Sequence, residues 1–277
     1  MGPTKMLAFA GAATALMTTT AATAADFPIA PGPAYPPVIE TSGWYLRGDI
    51  GMTNQKVKTL DNVLFPGTPD LVHHDKNFES GMLFGIGAGY KVNNWFRFDV
   101  TGEYRGETGF HGFDTWTDFD GNPRFNNYTG KKSEWLVMAN AYLDLGTWWR
   151  ITPFIGAGVG WSYNTIHSFR DAGTAPDGGG GFAPTMAFAK AGSKSNLAWA
   201  LHAGLSYEVT KSFSVELAYR YLNLGDAVSG DIIAFDGTNN FNNPMHFKDI
   251  TSHDVKFGLR WMLQPEPTYQ PPLMHRG

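Results

Sequence analysis

The chain has no cysteine. A disulfide framework and thiolate metal sites are therefore excluded. It has no basic surplus either: 21 Lys and Arg stand against 25 Asp and Glu, a formal net charge of -4. Such a balance cannot neutralise a phosphate backbone, so nucleic acid is not an expected partner. Beyond the first few dozen residues, no stretch approaches the roughly 20 apolar residues of a membrane helix. What is present points another way. Hydrophobic residues make up 43% of the 277, a globular rather than a disordered composition. Aromatics reach 14%, with nine Trp, and there are 33 Gly. Rich in Trp, Tyr and Gly but poor in long apolar runs, the chain suits a membrane barrel better than a membrane helix.

The two ends read as tails. Lys5 supplies a positive n-region, Met6 to Met17 a short apolar core, and Ala22-Thr23-Ala24 a small-x-small cleavage site. Residues 1–24 are expected to be a signal peptide, with the mature chain beginning near Ala25. Residues 25–42 carry Pro28, Pro31, Pro33, Pro36 and Pro37 with no periodicity, and read as a Pro-rich periplasmic linker. Residues 264–277 carry Pro265, Pro267, Pro271 and Pro272, which forbid both helix and central strand. They form a second Pro-rich tail.

Between the tails, at 43–263, the dominant period is two. In Phe96 to Arg105 the even positions are apolar, aromatic or Gly and the odd ones charged or polar. A strand sends alternate side chains to opposite faces, so one face is greasy and the other ionic. Phe213, Val215, Leu217, Tyr219 and Tyr221 alternate in the same way with Ser214, Glu216, Ala218 and Arg220. Val255, Phe257, Leu259, Trp261 and Leu263 alternate with Asp254, Lys256, Gly258, Arg260 and Met262. Strands are expected near 43–54, 79–91, 95–107, 133–146, 151–163, 196–209, 213–225 and 251–263. Short connections then fall at Asn93-Asn94, Thr147 to Arg150 and Thr210 to Ser212. Long ones fall at 55–78, 108–132, 164–195 and 226–250. Short turns at one end and long loops at the other is the layout of outer-membrane barrels. The expected fold is all-β: an eight-stranded antiparallel up-and-down transmembrane β-barrel, with turns and both termini periplasmic and long loops extracellular.

Aromatics sort by height. Trp44, Tyr90, Trp95, Trp148, Trp149, Tyr207, Phe213 and Trp261 fall at the turn end of their strands. Tyr104, Trp135, Trp161, Tyr163, Trp199, Tyr219 and Tyr221 fall at the loop end. Two belts of amphipathic rings are what membrane interfaces select. In the runs 81–90 and 154–161, Gly sits on the phase that is charged elsewhere. Small residues there either make room for long Arg and Glu side chains or permit the strong curvature of a small barrel.

Several segments are family-like. Gly43-Trp44-Tyr45-Leu46-Arg47-Gly48-Asp49-Ile50-Gly51 looks like the opening strand of small α-proteobacterial outer-membrane barrels. Gly85-Ile86-Gly87-Ala88-Gly89-Tyr90, leading into Trp95-Phe96-Arg97-Phe98-Asp99-Val100, resembles their second hairpin. Thr152-Pro153-Phe154-Ile155-Gly156-Ala157-Gly158-Val159-Gly160 resembles their fifth strand. The chain thus resembles the porin-like surface-antigen barrels of OmpA/OmpX type over roughly 43–263. That resemblance implies an eight-stranded outer-membrane barrel and, for many members, no enzymatic activity. One departure stands out: such barrels usually end on an aromatic residue read by the assembly machinery, whereas Trp261-Met262-Leu263 is followed here by the Pro-rich tail.

The inward face collects ionisable groups. The cations are Arg47, Arg97, Arg105, Arg220, Lys256 and Arg260, and the anions Asp49, Asp99, Glu103, Glu134, Asp144, Glu208, Glu216 and Asp254. An eight-stranded barrel is just wide enough inside for side chains to fill, and buried charges must be paired. A lumen plugged by an ion-pair network is the leading expectation. A narrow small-solute channel, in which the pairs switch, is the alternative. An outer-membrane enzyme is a third class. His202, Ser206 and Glu208 share a strand face, but His202 and Ser206 sit roughly 13 Å apart, too far for a nucleophile–base bond. His73-His74-Asp75 offers metal-ligand residue types, though adjacent strand residues point apart. Asp118-Phe119-Asp120-Gly121-Asn122-Pro123 begins like a calcium loop, yet has Pro where Gly is required and Thr129 at the twelfth position, so it reads as a turn. No catalytic, cofactor or metal site is expected.

The loops hold Phe110, Phe113, Trp116, Phe119 and Phe125, then Phe235, Phe241 and Phe247. They read first as hairpins packing together above the membrane and second as a surface for host or phage contact. The expected role is a structural, surface-exposed outer-membrane protein supporting envelope integrity. Its expected partners are outer-membrane lipid, lipopolysaccharide and the assembly machinery.

Overall fold

The computed structural model describes residues 42–177 and 181–263. The expected signal peptide 1–24, the expected linker as far as residue 41 and the tail 264–277 lie outside the described residues. The described chain forms β1 (Gly43–Asp61), β2 (Val72–Phe78), β3 (Gly81–Lys91), β4 (Phe96–Thr117), β5 (Pro123–Asp144), β6 (Ile151–Pro176), β7 (Phe182–Ala189), β8 (Gly192–Thr210), β9 (Phe213–Val228), β10 (Ile232–Ala234) and β11 (His246–Met262).

Eight of these strands close a ring. The order around it is β1, β3, β4, β5, β6, β8, β9, β11 and back to β1, each neighbouring pair antiparallel. The seam runs from Tyr45 opposite Met262 to Asp61 opposite His246. Closure leaves the eight strands no unpaired edge within the membrane band, where no water is available to bond it. This is the eight-stranded up-and-down barrel that the alternation implied. The remaining strands extend the loop end: β2 pairs with β4, β7 with β6 and β10 with β7.

The short turns lie where expected, at 92–95, 145–150 and 211–212. The long loops do not. β4 and β5 each have 22 residues and β6 has 26, whereas about 9–11 cross a bilayer core. Much of 108–132 and 164–195, expected as loop, is paired strand that continues the barrel wall beyond the apolar band.

Bulges explain why these extensions escaped a period-two reading. In β4 the buried side chains are odd-numbered up to Arg105 and even-numbered from Thr108. The register against β5 slips between those two residues. In β6 the buried phase switches from Ile166 to Phe169 across Ser168, whose φ is 53°, and the β5 register slips there as well. In β11 it switches between Ile250 and Phe247, with Asp249 at φ 52°. An extra residue re-aims every side chain beyond it. All three bulges lie at one level, the rim where the outer wall changes character.

Below that rim the outer wall is apolar: Leu46, Ile50, Met52, Phe84, Val100, Val137, Val159, Leu201, Leu217 and Val255 are exposed. Above it the exposed positions become mixed: Asn54, Lys56, Lys58, Lys131, Ser193 and Ser195 stand beside scattered apolar residues such as Phe113, Phe125 and Phe188. The interior changes in the opposite sense. Below the rim it is charged. Above it Leu60, Phe78, Phe110, Phe169, Phe247 and Ile250 form a buried apolar cluster.

Candidate functional site

The lumen is the densest concentration of chemistry in the molecule. At the turn end, Arg47 reaches Asp99 at 2.7 Å, Asp49 at 2.8 Å and Glu216 at 3.5 Å. Arg97 meets Asp144 at 3.2 Å and Glu216 at 3.3 Å, and Arg260 meets Glu216 at 2.9 Å. Arg97 also lies 4.3 Å from the Tyr142 ring centroid and 4.7 Å from that of Phe154. Halfway up, Arg220 spans Glu103 at 2.5 Å and Asp254 at 2.7 Å. Arg105 binds Asp254 at 2.8 Å, and Lys256 joins the two layers through Asp49 at 3.4 Å and Glu103 at 3.3 Å. At the top, Glu134 bridges Arg105 and Lys132. Lys132 also donates to Gln55 at 2.8 Å.

The network is balanced. Arg47, Arg97, Arg105, Lys132, Arg220, Lys256 and Arg260 provide seven cations; Asp49, Asp99, Glu103, Glu134, Asp144, Glu216 and Asp254 provide seven carboxylates. Each member touches at least one opposite charge, as burial demands. Glycine supplies the space. A Cβ on Gly89 would meet the Tyr45 ring, and one on Gly156 the Tyr142 ring. Tyr45 in turn donates to Asp99 and Tyr142 accepts from Arg47, both at 3.1 Å.

Of the residues read from sequence as lining the lumen, all but one meet here. Glu208 does not. It is exposed at the turn end, where its backbone N–H donates to the Arg150 carbonyl at 2.9 Å. Glu208 keeps the phase of His202 and Ser206, opposite Ser214, but it stands at the last step before the turn, where the lumen opens and no longer buries it. Lys132 was missed, because 108–132 read as loop. The buried phase of β5 at Asn140, Met138, Leu136 and Glu134, continued one step, arrives at it.

Above Lys132 the lumen is roofed by rings. Phe110 lies 5.2 Å from Phe78 and 4.8 Å from Phe247, centroid to centroid, and Phe169 lies 6.2 Å from Phe247. The Lys132 ammonium sits 5.7 Å from the Phe78 centroid, which joins the two regions by a cation–π contact.

The catalytic and metal-type residues take other partners. His202 Nε2 bonds Asn140 Oδ1 at 3.2 Å, and Ser206 accepts from Arg260 at 3.3 Å. His73 faces Asp114 at 3.5 Å while His74 bonds Thr115 at 2.7 Å, so the two imidazoles diverge. Both sit on β2. Asp118 caps a turn, accepting the Asp120 and Asn122 N–H groups at 3.0 and 2.8 Å, with Gly121 at φ 84°.

The eight tryptophans assigned to belts are all exposed, from 43% at Trp199 to 92% at Trp149. Trp44, Trp95, Trp148, Trp149 and Trp261 stand at the turn end; Trp135, Trp161 and Trp199 stand at the rim. Trp135 packs on Tyr104 at 4.8 Å and Trp199 on Tyr221 at 5.5 Å.

Comparison with known proteins agrees with this architecture. Residues 11–262 match the model for the outer membrane protein beta-barrel domain. The chain is 33% identical over 271 residues to an uncharacterized protein of Brucella abortus, covering 87% of this chain and 92% of that one. It is 30% identical over 192 residues to the outer membrane protein PagN of Salmonella typhimurium, covering 66% and 75%. Among solved structures, Neisserial surface protein A aligns over 81% of this chain and 100% of its own at 16% identity and a TM-score of 0.46. A closed ring of eight antiparallel strands, apolar outside and charged within, is matched over nearly its whole length by one domain model: the chain belongs to the outer-membrane protein β-barrel family.

Proposed function

We propose that this protein is a structural, surface-exposed barrel of the outer membrane that supports envelope integrity and does not conduct. In this reading residues 1–24 are a cleaved export signal, and the linker 25–42 and tail 264–277 are periplasmic. The short turns face the periplasm and the hairpin extensions face outward. The exposed tryptophans anchor the wall at both interfaces, the outer one in contact with lipopolysaccharide.

The observation that carries the reading is the filled lumen. Seven cations and seven carboxylates interlock across it, and the Phe78, Phe110, Phe247 cluster lies above them. An ion entering would have to break buried pairs and then pass an apolar roof, and both steps are costly.

Reconstitution in planar bilayers tests this. The expected record is a flat baseline without unitary steps. Steady conductance abolished by a charge swap at Arg97 or Glu216 would establish the small-solute channel instead. In the cell, deletion should raise detergent sensitivity and leave small-solute uptake unchanged. A normal envelope with slowed uptake would again favour the channel.

A further inference from the structure

Outside the lumen, the hairpin extensions enclose a cavity of about 210 Å³. Phe65 from the β1–β2 connection, Trp116 from β4, Tyr128 from β5, Asp171 from β6 and Asn243 from the β10–β11 connection are among its lining residues. Two carboxyls belong to this region, one on each side of Tyr128. Tyr128 donates its hydroxyl to Asp114 Oδ2 at 2.8 Å. Across the β5–β6 ladder Tyr128 stands directly opposite Asp171.

Both carboxyls are left incomplete. Asp114 is fully buried and its Oδ1 has no hydrogen-bond partner; Asp171 Oδ1 is buried and has none either. Among the described residues no Arg or Lys pairs with either. The one basic group near them is His73, 3.5 Å from Asp114 Oδ2, and burial pushes its imidazole toward the neutral form. Buried Arg124 is already paired with Asp118 at the hairpin tip. In the lumen of the same molecule, by contrast, each of the seven buried carboxylates touches an Arg or a Lys. A chain that supplies counter-charges so thoroughly in one place withholds them in the other.

We propose that this cavity is a binding site for a small organic cation, its ammonium or guanidinium group held by Asp171 with Asp114 behind it and its carbon body lying against Trp116 and Phe65. The parts match the chemistry. Asp171 lines the cavity, and a carboxylate accepts charged N–H donors through short, strong hydrogen bonds. Aromatic faces attract a cation through their quadrupole. Asn243 and Tyr128 add polar contacts at the sides, and the volume suits a ligand of fragment size rather than a chain. Burial and the neighbouring Asp114 push Asp171 up to about 7. A bound cation favours the ionised carboxylate, so binding strengthens as pH rises through that value and releases a proton.

The test is calorimetric titration of the purified full-length barrel in detergent with 2-phenylethylammonium, alongside the neutral 2-phenylethanol and, separately, Ca²⁺. The expected result is saturable binding of the ammonium at pH 8, no binding of the alcohol, and affinity reduced at least about tenfold in Asp171→Asn. Trp116→Leu, which leaves both carboxyls in place, should weaken binding less. The folded state of each variant is checked by its heat-modifiable migration on a gel, so loss of binding is read only on folded barrels. No saturable binding, equal binding by Asp171→Asn, or equal binding of the alcohol overturns the proposal. Tight Ca²⁺ binding with none of the ammonium overturns it in favour of a metal site. None of these readouts depends on whether the lumen conducts.

Discussion

The barrel wall below the rim and the wall above it are built on opposite plans from continuous strands. Below, the outside is apolar and the inside ionic; above, the outside is mixed, with Lys56, Lys58 and Lys131 beside Phe113, Phe125 and Phe188, and the inside holds Phe78, Phe110, Phe169 and Phe247. The lower half is organised for a solvent of hydrocarbon and the upper half for water. No new strand begins at the boundary of β4, β6 or β11. A single bulge in each shifts which residues face inward. The lesson is that the barrel changes solvent by changing phase, which requires one extra residue per strand rather than a new domain.

The largest effect should come from unbalancing the lower half. Glu103 contacts Arg220, Lys256 and Arg105. Glu103→Ala leaves buried cations short of a partner and should cost about 3–5 kcal/mol, read as a lower urea midpoint for the folded barrel in vesicles. If that loss is absent, the lumen is wetter than its packing implies. In the upper half, Phe247→Ala should cost about 3 kcal/mol. It should open the hairpins to protease while leaving a membrane-protected core; simultaneous loss of both would show that the two halves fold as one unit.

A third test separates the halves by pH. Asp171 is protonated in the folded extension up to about 7, well above an unfolded value of about 3.9. Its contribution is therefore fully present below the unfolded value and is lost as pH rises toward 7. Hydrogen-exchange protection in the β6–β7 hairpin, taken relative to the intrinsic amide rate at each pH, should be higher at pH 5 than at pH 8. Asp171→Asn should remove most of that difference, a gain of up to about 4 kcal/mol at pH 8. The smallest effect is predicted for Glu208→Gln. Because this carboxylate is exposed, the change should fall within about 0.5 kcal/mol; a loss comparable with that of Glu103 would return Glu208 to the lumen.

Much of the lower half was legible in the sequence because period two holds there without interruption. Phe96 to Arg105 alone assigns five residues to lipid and five to the lumen, and the short turns then set the strand count. Glu208 keeps the period, opposite Ser214, but alternation says nothing of height, and at the turn end the lumen no longer buries it. The upper half was opaque because the period does break there, at the bulges of β4, β6 and β11. After Gly106-Glu107 the inward residues Thr108, Phe110, Gly112 and Asp114 are no more apolar than the outward Glu107, Gly109, His111 and Phe113. The roof is assembled from single phenylalanines on four separate strands, β2, β4, β6 and β11, and nothing local tells Phe78 that Phe110 and Phe247 will be its neighbours. The Asp114–Tyr128–Asp171 group was hidden for the same reason: it exists only through pairing across β4, β5 and β6.

The seam between β1 and β11 has a consequence for how the barrel is made. β11 is the last strand to emerge, and it brings Asp254, Lys256 and Arg260 to the interior. The other seven strands then hold five of the lumen cations and six of the carboxylates, so an open precursor carries one uncancelled negative charge on its inner face. The arriving strand carries one surplus positive charge and lands beside Arg47 and Asp49. Electroneutrality is thus a property of the finished ring alone, and the final pairing event is drawn by charge as well as by hydrogen bonds. A barrel assembled in this order has a built-in check on completion: until the last strand is home, its interior is electrically unfinished.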